Sequence, residues 1–570
     1  MKKKVLITAA LPYINNVPHM GHIVGSHLPA DIFYRYQKLI GNDAVFVGGA
    51  DEYGTPAVVT AQELNTTPAN LVDKLKGEHR KVYEKFGISY TNFSGTRNAE
   101  HKPIVQDFFK KLKENGFIEK QEIEMLYCEK CKRFLPDRFI VGTCPKCGYD
   151  RAYGDQCDKC YSVYSTSDLV HPRCATCDTL AVYKKSEHYF FKFDKAADKL
   201  NEWLESKKNV FRPYVYSEAK RWIKDGLQSR CITRDMAWGV PVEEEGFENK
   251  VFYVWFEAPI GYISITKELG DEFYNKYWKE EGAEIYNFLG KDNIPFHTVF
   301  FPAWLLSNGT YNLPYNVSGY NFLNFEGQKF SKSKKIGVFS NALLTSDVDV
   351  DSLRGYLTSI LPENKDSDWK WEEFKNVTNS DILGKLGNFF NRTINLIYKN
   401  FPDGLEFSSE ELTDLTEQDK IIYDAIINEP KNICELYDKI EIREAFKSVI
   451  NLSTIGNVYL EQTAPWSLIK NGDRKGAAKV LYLCLNLARA LAMLAFPVLP
   501  FKMKEVYSQL NFAEEIDTEG NLLSLGKINV GKNHKVNAPS PLFRRIDDEY
   551  LDSLKAEFSE PFDIKSAIEE

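Results

Sequence analysis

Eight of the eleven cysteines in this 570-residue chain fall between residues 128 and 177, all in Cys-x-x-Cys pairs: Cys128/Cys131, Cys144/Cys147, Cys157/Cys160 and Cys174/Cys177. No other stretch constrains the fold as tightly. Each pair presents two thiols on a tight turn, and two such turns supply the tetrahedral four-sulfur shell that Zn²⁺ prefers, so four pairs predict two structural ions. Disulfides suit an exported chain, and redox chemistry does not call for four copies of the motif in so short a span. A closed four-sulfur site leaves no position open for catalysis, so the chemistry must lie elsewhere. Cys231, Cys434 and Cys484 have neither pairing nor nearby ligands and read as small buried hydrophobes.

The cysteine-rich stretch interrupts an α/β pattern. Val5–Ala10 reads as a buried strand, a helical pattern runs from about Gly21 through Ile32 and Tyr36 to Gly41, and Ala44–Gly48 reads as a second strand. Helical spacing returns at Ile104, Phe108 and Leu112, with Gly116 as a stop. After the insert, Val251–Phe256 and Ile285–Leu289 read as strands and Phe296–Leu306 as a helix. Beyond about residue 380 strand signals thin out, and 381–400, 417–428, 441–460 and 475–496 carry helical spacing. The expected architecture is a Rossmann-like parallel-sheet catalytic domain with a zinc-knuckle insertion, followed by an α-helical bundle. Its expected boundaries are 1–116 and 231–325 for the two halves of the catalytic domain and 117–230 for the connective insertion. A mobile Lys-rich loop and connecting domain (326–380), the helical bundle (381–530) and a C-terminal tail packing back on the body (531–570) complete it.

A formal charge of −8 argues against gripping nucleic acid by global positive charge, so any such contact must be local. Met1–Lys4 is basic, but the apolar run after it ends at Pro12, too short for an export signal. The apolar stretch Val480–Phe501 is broken by Asn486, Arg489, Pro497 and Pro500 and reads as a buried helix rather than a membrane span. The expected setting is cytoplasmic, without membrane association, and the expected state a monomer.

Two motifs carry the chemistry. His19-Met20-Gly21-His22 sits between the first strand and the first helix, where backbone N–H groups and the helix dipole favour an anion. Lys329-Phe330-Ser331-Lys332-Ser333 follows the polar turn Glu326-Gly327-Gln328; alone it would pass for a solvated loop. Together they resemble the two signatures of class I aminoacyl-tRNA synthetases, which bind ATP between a His-x-Gly-His motif and a mobile Lys-rich loop. The resemblance implies that a bound amino-acid carboxylate attacks the α-phosphate of ATP, and that the aminoacyl group then passes to tRNA. It assigns ATP binding to His19, Gly21, His22, Asp292, Lys329 and Lys332, with His19, His22, Lys329 and Lys332 as the catalytic donors and cations.

Ala10-Leu11-Pro12-Tyr13, Ala50-Asp51-Glu52-Tyr53-Gly54, Trp255 to Tyr262 and Gly290-Lys291-Asp292 with His297 narrow the resemblance to the methionyl-tRNA synthetase family. That implies a methionine site of Ala10, Leu11, Tyr13, Asp51, Trp255, Ala258, Pro259, Tyr262 and His297, with Asp51 on the substrate ammonium. A soft, apolar thioether suits such a pocket, in which one Tyr or His donor lies near the sulfur. The family's two-zinc form implies one ion on Cys144, Cys147, Cys157 and Cys160 and another on Cys128, Cys131, Cys174 and Cys177. It also implies Mg²⁺ with the ATP, and tRNA(Met) read at its anticodon by Asn388, Arg392 and Trp466, residue types that stack on or hydrogen-bond to unpaired bases. Two departures stand out: Phe330 replaces the usual Met of the second signature, and Tyr53 stands where His is common. Among rivals, leucine, isoleucine and valine enzymes usually carry a large editing insertion and the cysteine enzyme uses zinc at its substrate site; a tRNA-binding protein without catalysis would not keep both nucleotide motifs.

Overall fold

The structure, a computed structural model, describes residues 2–154, 157, 159–160, 162, 164, 166–331 and 334–569. Five strands form its central sheet: β1 (Lys4–Ala9), β2 (Asp43–Ala50), β3 (Asn92–Gly95), and, beyond the insert, β6 (Ala283–Gly290) and β7 (Asn316–Tyr320). Their spatial order is β7-β6-β1-β2-β3 and every pairing is parallel. Parallel sheets are covered on both faces, which explains why Val5 to Ala9 of β1 are all buried with no polar face: Val5, Ile7 and Ala9 enter one core and Leu6 the opposite one. The chain leaves β1 for β2 on one side, while β6 flanks β1 on the other. The order therefore reverses between β1 and β6, the switch point whose carboxyl-end crevice binds ligands in open α/β sheets.

The insertion is built on β4 (Ile118–Cys128) and β5 (Val182–Phe191), a long antiparallel pair extended by Arg133–Phe134 and Arg230–Cys231. At its far end a three-stranded sheet (Ile140–Thr143, Ala152–Tyr153, Val170–Cys174) carries the cysteines around a small core of its own.

One expectation fails here. Val251–Phe256 is not a strand: only Val251–Phe252 pair, and the chain turns helical at Val254–Glu257, continuing through Ala258–Ile260 into Gly261–Lys267. An apolar run buried on all sides has no periodicity to separate strand from helix; the helical turn starts where the Phe256 and Glu257 N–H groups both donate to the Tyr253 carbonyl (2.8 and 3.2 Å).

The C-terminal third is helical, with α1 (Asn388–Asn400), α2 (Glu417–Asp438), α3 (Ile442–Thr463) and α4 (Arg474–Ala495) as its long members. Helix α4 is long and apolar enough to cross a membrane, but 94% of its apolar window is buried, the signature of a central bundle helix. The bundle core is continuous with the core under β1. A buried ion pair stitches them: Arg354 Nη2 lies 2.7 Å from Asp31, both fully buried. The same guanidinium donates to the carbonyls of Val498 (2.8 Å), Pro497 (3.0 Å) and Phe86 (3.2 Å).

Candidate active site

Three strand ends of the switch point deliver the site. Ala10–Asn16 leave β1, Asp51 follows β2, and Gly290–Asn293 leave β6. The Ala10 N–H donates to the Phe288 carbonyl (2.9 Å) and the Asp51 N–H to the Pro12 carbonyl (2.9 Å), locking the three ends together.

Two adjoining cavities open there. The first, about 430 Å³, is lined by His19, Gly21, His22, Gly290, Asp292, Lys329 and Phe330 among others. His19 caps the helix that starts at Met20: the Gly21 N–H donates to its Nδ1 (3.1 Å), and the His19 N–H donates to His22 Nδ1 (3.2 Å). With both Nδ1 atoms accepting, each neutral ring carries its proton on Nε2 and is a donor from that edge. Glycine at position 21 lets the His19 ring keep this place, since a Cβ would lie 2.8 Å from His19 Cε1 and displace the ring. The rings of His19 and His22 stack at 3.9 Å, and Phe330 stacks on the other side of His19 at 4.7 Å. Phe330 packs against Gly337, where φ is +150° and a Cβ would lie 2.6 Å from Phe330 Cδ1. The segment is tied down by an antiparallel bridge between His19 and Phe339 and by Phe339 N–H to Phe558 O (3.0 Å) from the chain's last part. Lys329 is exposed at the mouth of this cavity; Lys332 lies outside the described residues.

The second cavity, about 370 Å³, is bounded by Ala10, Leu11, Tyr13, Asp51, Trp255, Ala258, Pro259, Tyr262 and His297, so the structure brings together the whole set that the resemblance assigned to one pocket. Ala10, Leu11, Pro12, His22, Asp292 and Asn293 border both cavities. Trp255 meets Tyr13 edge-on at 5.6 Å and stacks on Phe296 at 3.9 Å. Phe296 belongs to the wall and went unnoticed in the sequence, where one aromatic beside many carries no signal. His297 Nδ1 lies 3.0 Å from the Asn293 carbonyl and can only donate to it, leaving Nε2 to accept the Tyr262 hydroxyl proton at 2.9 Å. Both protons are thus used within the protein, and the expected Tyr or His donor for a thioether is already engaged. Burial holds the His297 ring down to about 4, so it is neutral near pH 7.

At the polar end, Asp51 is buried and its Oδ1 has no hydrogen-bond partner among the described residues. Burial first, then the neighbouring Glu257, push its carboxyl well above the ordinary range. An orphaned buried carboxylate oxygen facing a cavity is the complement of a cationic ligand group. Tyr53 points away and meets Trp238 edge-on at 5.5 Å.

The eight cysteines gather as two quartets, Cys128/Cys131/Cys174/Cys177 and Cys144/Cys147/Cys157/Cys160, with the sulfurs of each quartet within 4.8 Å of one another. Tetrahedral Zn–S bonds of about 2.3 Å require S···S edges of about 3.75 Å. The Cys131–Cys174, Cys144–Cys160 and Cys147–Cys157 separations are 3.8, 3.8 and 3.7 Å. Backbone N–H groups of Cys131 and Cys147 point at the first sulfur of their own pair (3.3 and 3.4 Å). The donor set fits zinc.

On the bundle, Asn388 and Arg392 share one face of α1, spaced i,i+4. Arg392 lies 5.2 Å over the ring of Trp466 and 2.9 Å from Glu461, while Asn388 donates to Asn457 Oδ1 (3.1 Å). Trp466, on the short helix Pro465–Lys470 behind the left-handed Ala464, is 38% exposed. These three therefore form one polar and aromatic surface, remote in sequence from the cavities.

Residues 5–394 match the family described as tRNA synthetases class I (M), and residues 411–562 the anticodon binding domain of methionyl tRNA ligase. The methionine–tRNA ligase of Ignicoccus hospitalis is 39% identical over 97% of this chain and 97% of its own length. That of Christiangramia forsetii is 38% identical over 96% of this chain and 80% of its own. The cytoplasmic methionine–tRNA ligase of Caenorhabditis elegans is 38% identical over 99% of this chain, which spans 62% of that longer protein. In fold, the chain is similar to the Mycobacterium tuberculosis methionyl-tRNA synthetase in complex with methionyl-adenylate, with a TM-score of 0.79 at 22% identity over 96% of this chain and 100% of the other.

Proposed function

The chain belongs to the class I tRNA synthetases (M), and on that premise we propose that it is a methionine–tRNA ligase, activating L-methionine with ATP and transferring it to the 3′-terminal adenosine of tRNA(Met). The observation that carries this reading is the pair of adjoining cavities, one walled by the two nucleotide motifs and the other by aromatic rings with a buried carboxyl, Asp51, sharing Ala10–Pro12, His22, Asp292 and Asn293. Methionine lies in the second, its side chain among Leu11, Tyr13, Trp255, Ala258, Pro259, Tyr262 and His297, its ammonium on Asp51. ATP occupies the first, with Asp292 on the ribose and Gly21 leaving room for the nucleotide. The methionine carboxylate oxygen attacks the α-phosphorus, the bond to the bridging oxygen of pyrophosphate breaks, and methionyl-adenylate remains.

Little covalent work falls to the protein. Charge builds on the phosphoryl oxygens, and the Nε2–H donors of His19 and His22 with the ammonium groups of Lys329 and Lys332 offset it by position and electrostatics. Mg²⁺ accompanies the triphosphate and neutralises part of its charge. Zn²⁺ in the two cysteine quartets is structural, and Asn388, Arg392 and Trp466 read anticodon bases by stacking and edge hydrogen bonds. The chain works as a monomer in the cytoplasm, the compartment named for the Caenorhabditis elegans relative. ATP–pyrophosphate exchange with each standard amino acid tests the reading: methionine alone should drive exchange, and exchange driven by another amino acid but not by methionine would overturn it.

A further inference from the structure

Directly behind the amino-acid cavity, one residue before Ala258, Glu257 is fully buried, and its Oε1 has no hydrogen-bond partner among the described residues. Its Oε2 lies 2.7 Å from Nε2 of His101, also fully buried on the helix His101–Glu114, and His101 is its one ion-pair partner among the described residues. The other ring nitrogen, Nδ1, lies 3.0 Å from Ser264 Oγ, which accepts from Asn98 Nδ2 (3.1 Å) and sits 3.1 Å from the Gly261 carbonyl. The serine has one proton to give. If it goes to His101 Nδ1, the ring donates from Nε2, and Glu257 must be an ionised carboxylate with no exposure, one hydrogen bond and a bare second oxygen. The charged groups around it oppose that state. Asp51 and Glu52 face it from the end of β2 with Tyr53 beside them, and the cations nearby, Lys76 (2.9 Å) and Arg97 (3.8 Å), are bound to Glu52. If the serine proton goes to Gly261 instead, Nδ1–H donates to Ser264 and the short contact needs one proton between Nε2 and Glu257, held either by the acid of a neutral pair or by the ring of an ion pair; full burial of both groups disfavours the ion pair and leaves Nε2 bare. Burying a neutral acid–imidazole pair costs far less than burying an uncompensated carboxylate.

We propose that Glu257 is a carboxylic acid donating to the bare Nε2 of a neutral His101, and that this uncharged pair is a positioning device that leaves Asp51 as the single anion presented to the substrate ammonium. The inference rests on the methionine reading of the cavity. Burial pushes Glu257 well above the carboxylate range and His101 down to about 3, in the same sense. Of the two neighbouring acids, Glu257 keeps the proton, because it has an acceptor for it; Asp51 borders the cavity and accepts the Tyr53 N–H.

The test compares E257A with E257Q in the full-length enzyme by methionine-dependent ATP–pyrophosphate exchange. E257A leaves His101 unpaired and opens space behind Asp51, and should raise the methionine KM by about 10-fold or more with a smaller effect on kcat. Glutamine carries an N–H where the acid carries its O–H, so E257Q should restore KM to within about threefold of wild type. An E257Q as impaired as E257A would overturn the proposal, since an anion would then be required. The wild-type protein supplies an independent readout: with ¹⁵N-labelled histidine, His101, assigned by its loss in H101Q, should show Nδ1–H and an unprotonated Nε2. A proton on Nε2 would overturn the proposal without touching the exchange reaction, whereas absence of methionine-driven exchange in wild type would instead remove the functional reading beneath it.

Discussion

Tyr262→Phe removes one oxygen atom from a fully buried chain of two hydrogen bonds. In that chain His297 Nδ1–H reaches the Asn293 carbonyl at 3.0 Å, and Nε2 is satisfied by the Tyr262 hydroxyl at 2.9 Å. Without the hydroxyl, Nε2 becomes an acceptor with no donor in a site where Tyr262 is 2% and His297 5% exposed. A buried unsatisfied acceptor costs about 1–3 kcal/mol, which corresponds to about 5- to 150-fold in an equilibrium constant. In the empty enzyme the adjoining cavity can lend a water to Nε2; bound methionine expels it, so the loss falls on methionine binding. Methionine titrations in ATP–pyrophosphate exchange should therefore show kcat/KM falling within that range mainly through KM, while the KM for ATP moves less than about twofold. In a His297→Leu background the acceptor is gone, and Tyr262→Phe should add less than about twofold. A Tyr262→Phe enzyme with normal methionine KM and depressed kcat would refute this account of the pocket.

Two of the buried histidines, His297 and His101, make the fold acid-sensitive. His297 (about 4) and His101 (about 3) sit below their unfolded values because burial disfavours the imidazolium, so between the unfolded value and these numbers the unfolded chain binds more protons. Their contribution is complete above pH of about 6.5 and is lost as pH falls from there toward 4 and 3, which thermal melts across that window should follow. Cys144→Ser should release one of two zinc ions per chain in a metal assay and loosen the knuckle module, while methionine-dependent exchange persists. Trp466→Ala should lower tRNA charging by about 10-fold or more, given base-stacking energies of about 1–3 kcal/mol, and leave exchange within about twofold; equal losses in both assays would remove its tRNA role. Arg354→Met breaks a fully buried pair with Asp31 and orphans three carbonyls, and should destabilise by about 3–5 kcal/mol in denaturant melts, though Arg35, 2.9 Å from Asp31, offsets part of this.

The parts legible in the sequence are those with a short-range signature. Strand β1 carries a short, largely apolar run, Val5–Leu6–Ile7 with Ala9, the cysteine pairs are three apart, and His19 to His22 sit where a strand meets a helix. Val254–Glu257 failed for the complementary reason, since residues apolar on every side fit a buried strand and a buried helix equally well. Glu257, His101 and Phe296 were invisible. A carboxylate at 257 and an imidazole at 101 have no relation along the chain, and only the packing of two helices makes them a 2.7 Å pair. Phe330, noted only as a departure, acquires a physical role: its ring extends the His19–His22 stack, a contact that the flexible thioether usual at this position makes less rigidly.

Register explains how motifs three hundred residues apart share one site. Strand β6 pairs with β1 from Lys4↔Ala283 to Ala9↔Phe288, and β2 pairs with β1 from Lys4↔Asp43 to Thr8↔Val47. Strands β2 and β6, which end at Ala50 and Gly290, both run two residues past the level of Ala9, so the segments after all three ends gather at the same edge of the sheet. The insertion leaves between β3 and β6 on the antiparallel pair β4/β5, so its cysteine quartets can grow at the far end without shifting that register. The same geometry couples the two cavities. Ala10, Leu11 and Pro12 are walls of both, so a displacement of the β1 end that admits one ligand reshapes the space for the other. Methionine and ATP should therefore bind with mutual dependence. Titration calorimetry of methionine with and without a non-hydrolysable ATP analogue measures it, and by linkage the factor found must equal that for the analogue with and without methionine. A factor of one in both directions would mean that the shared wall is rigid, and that the two cavities are coupled only through the reaction itself.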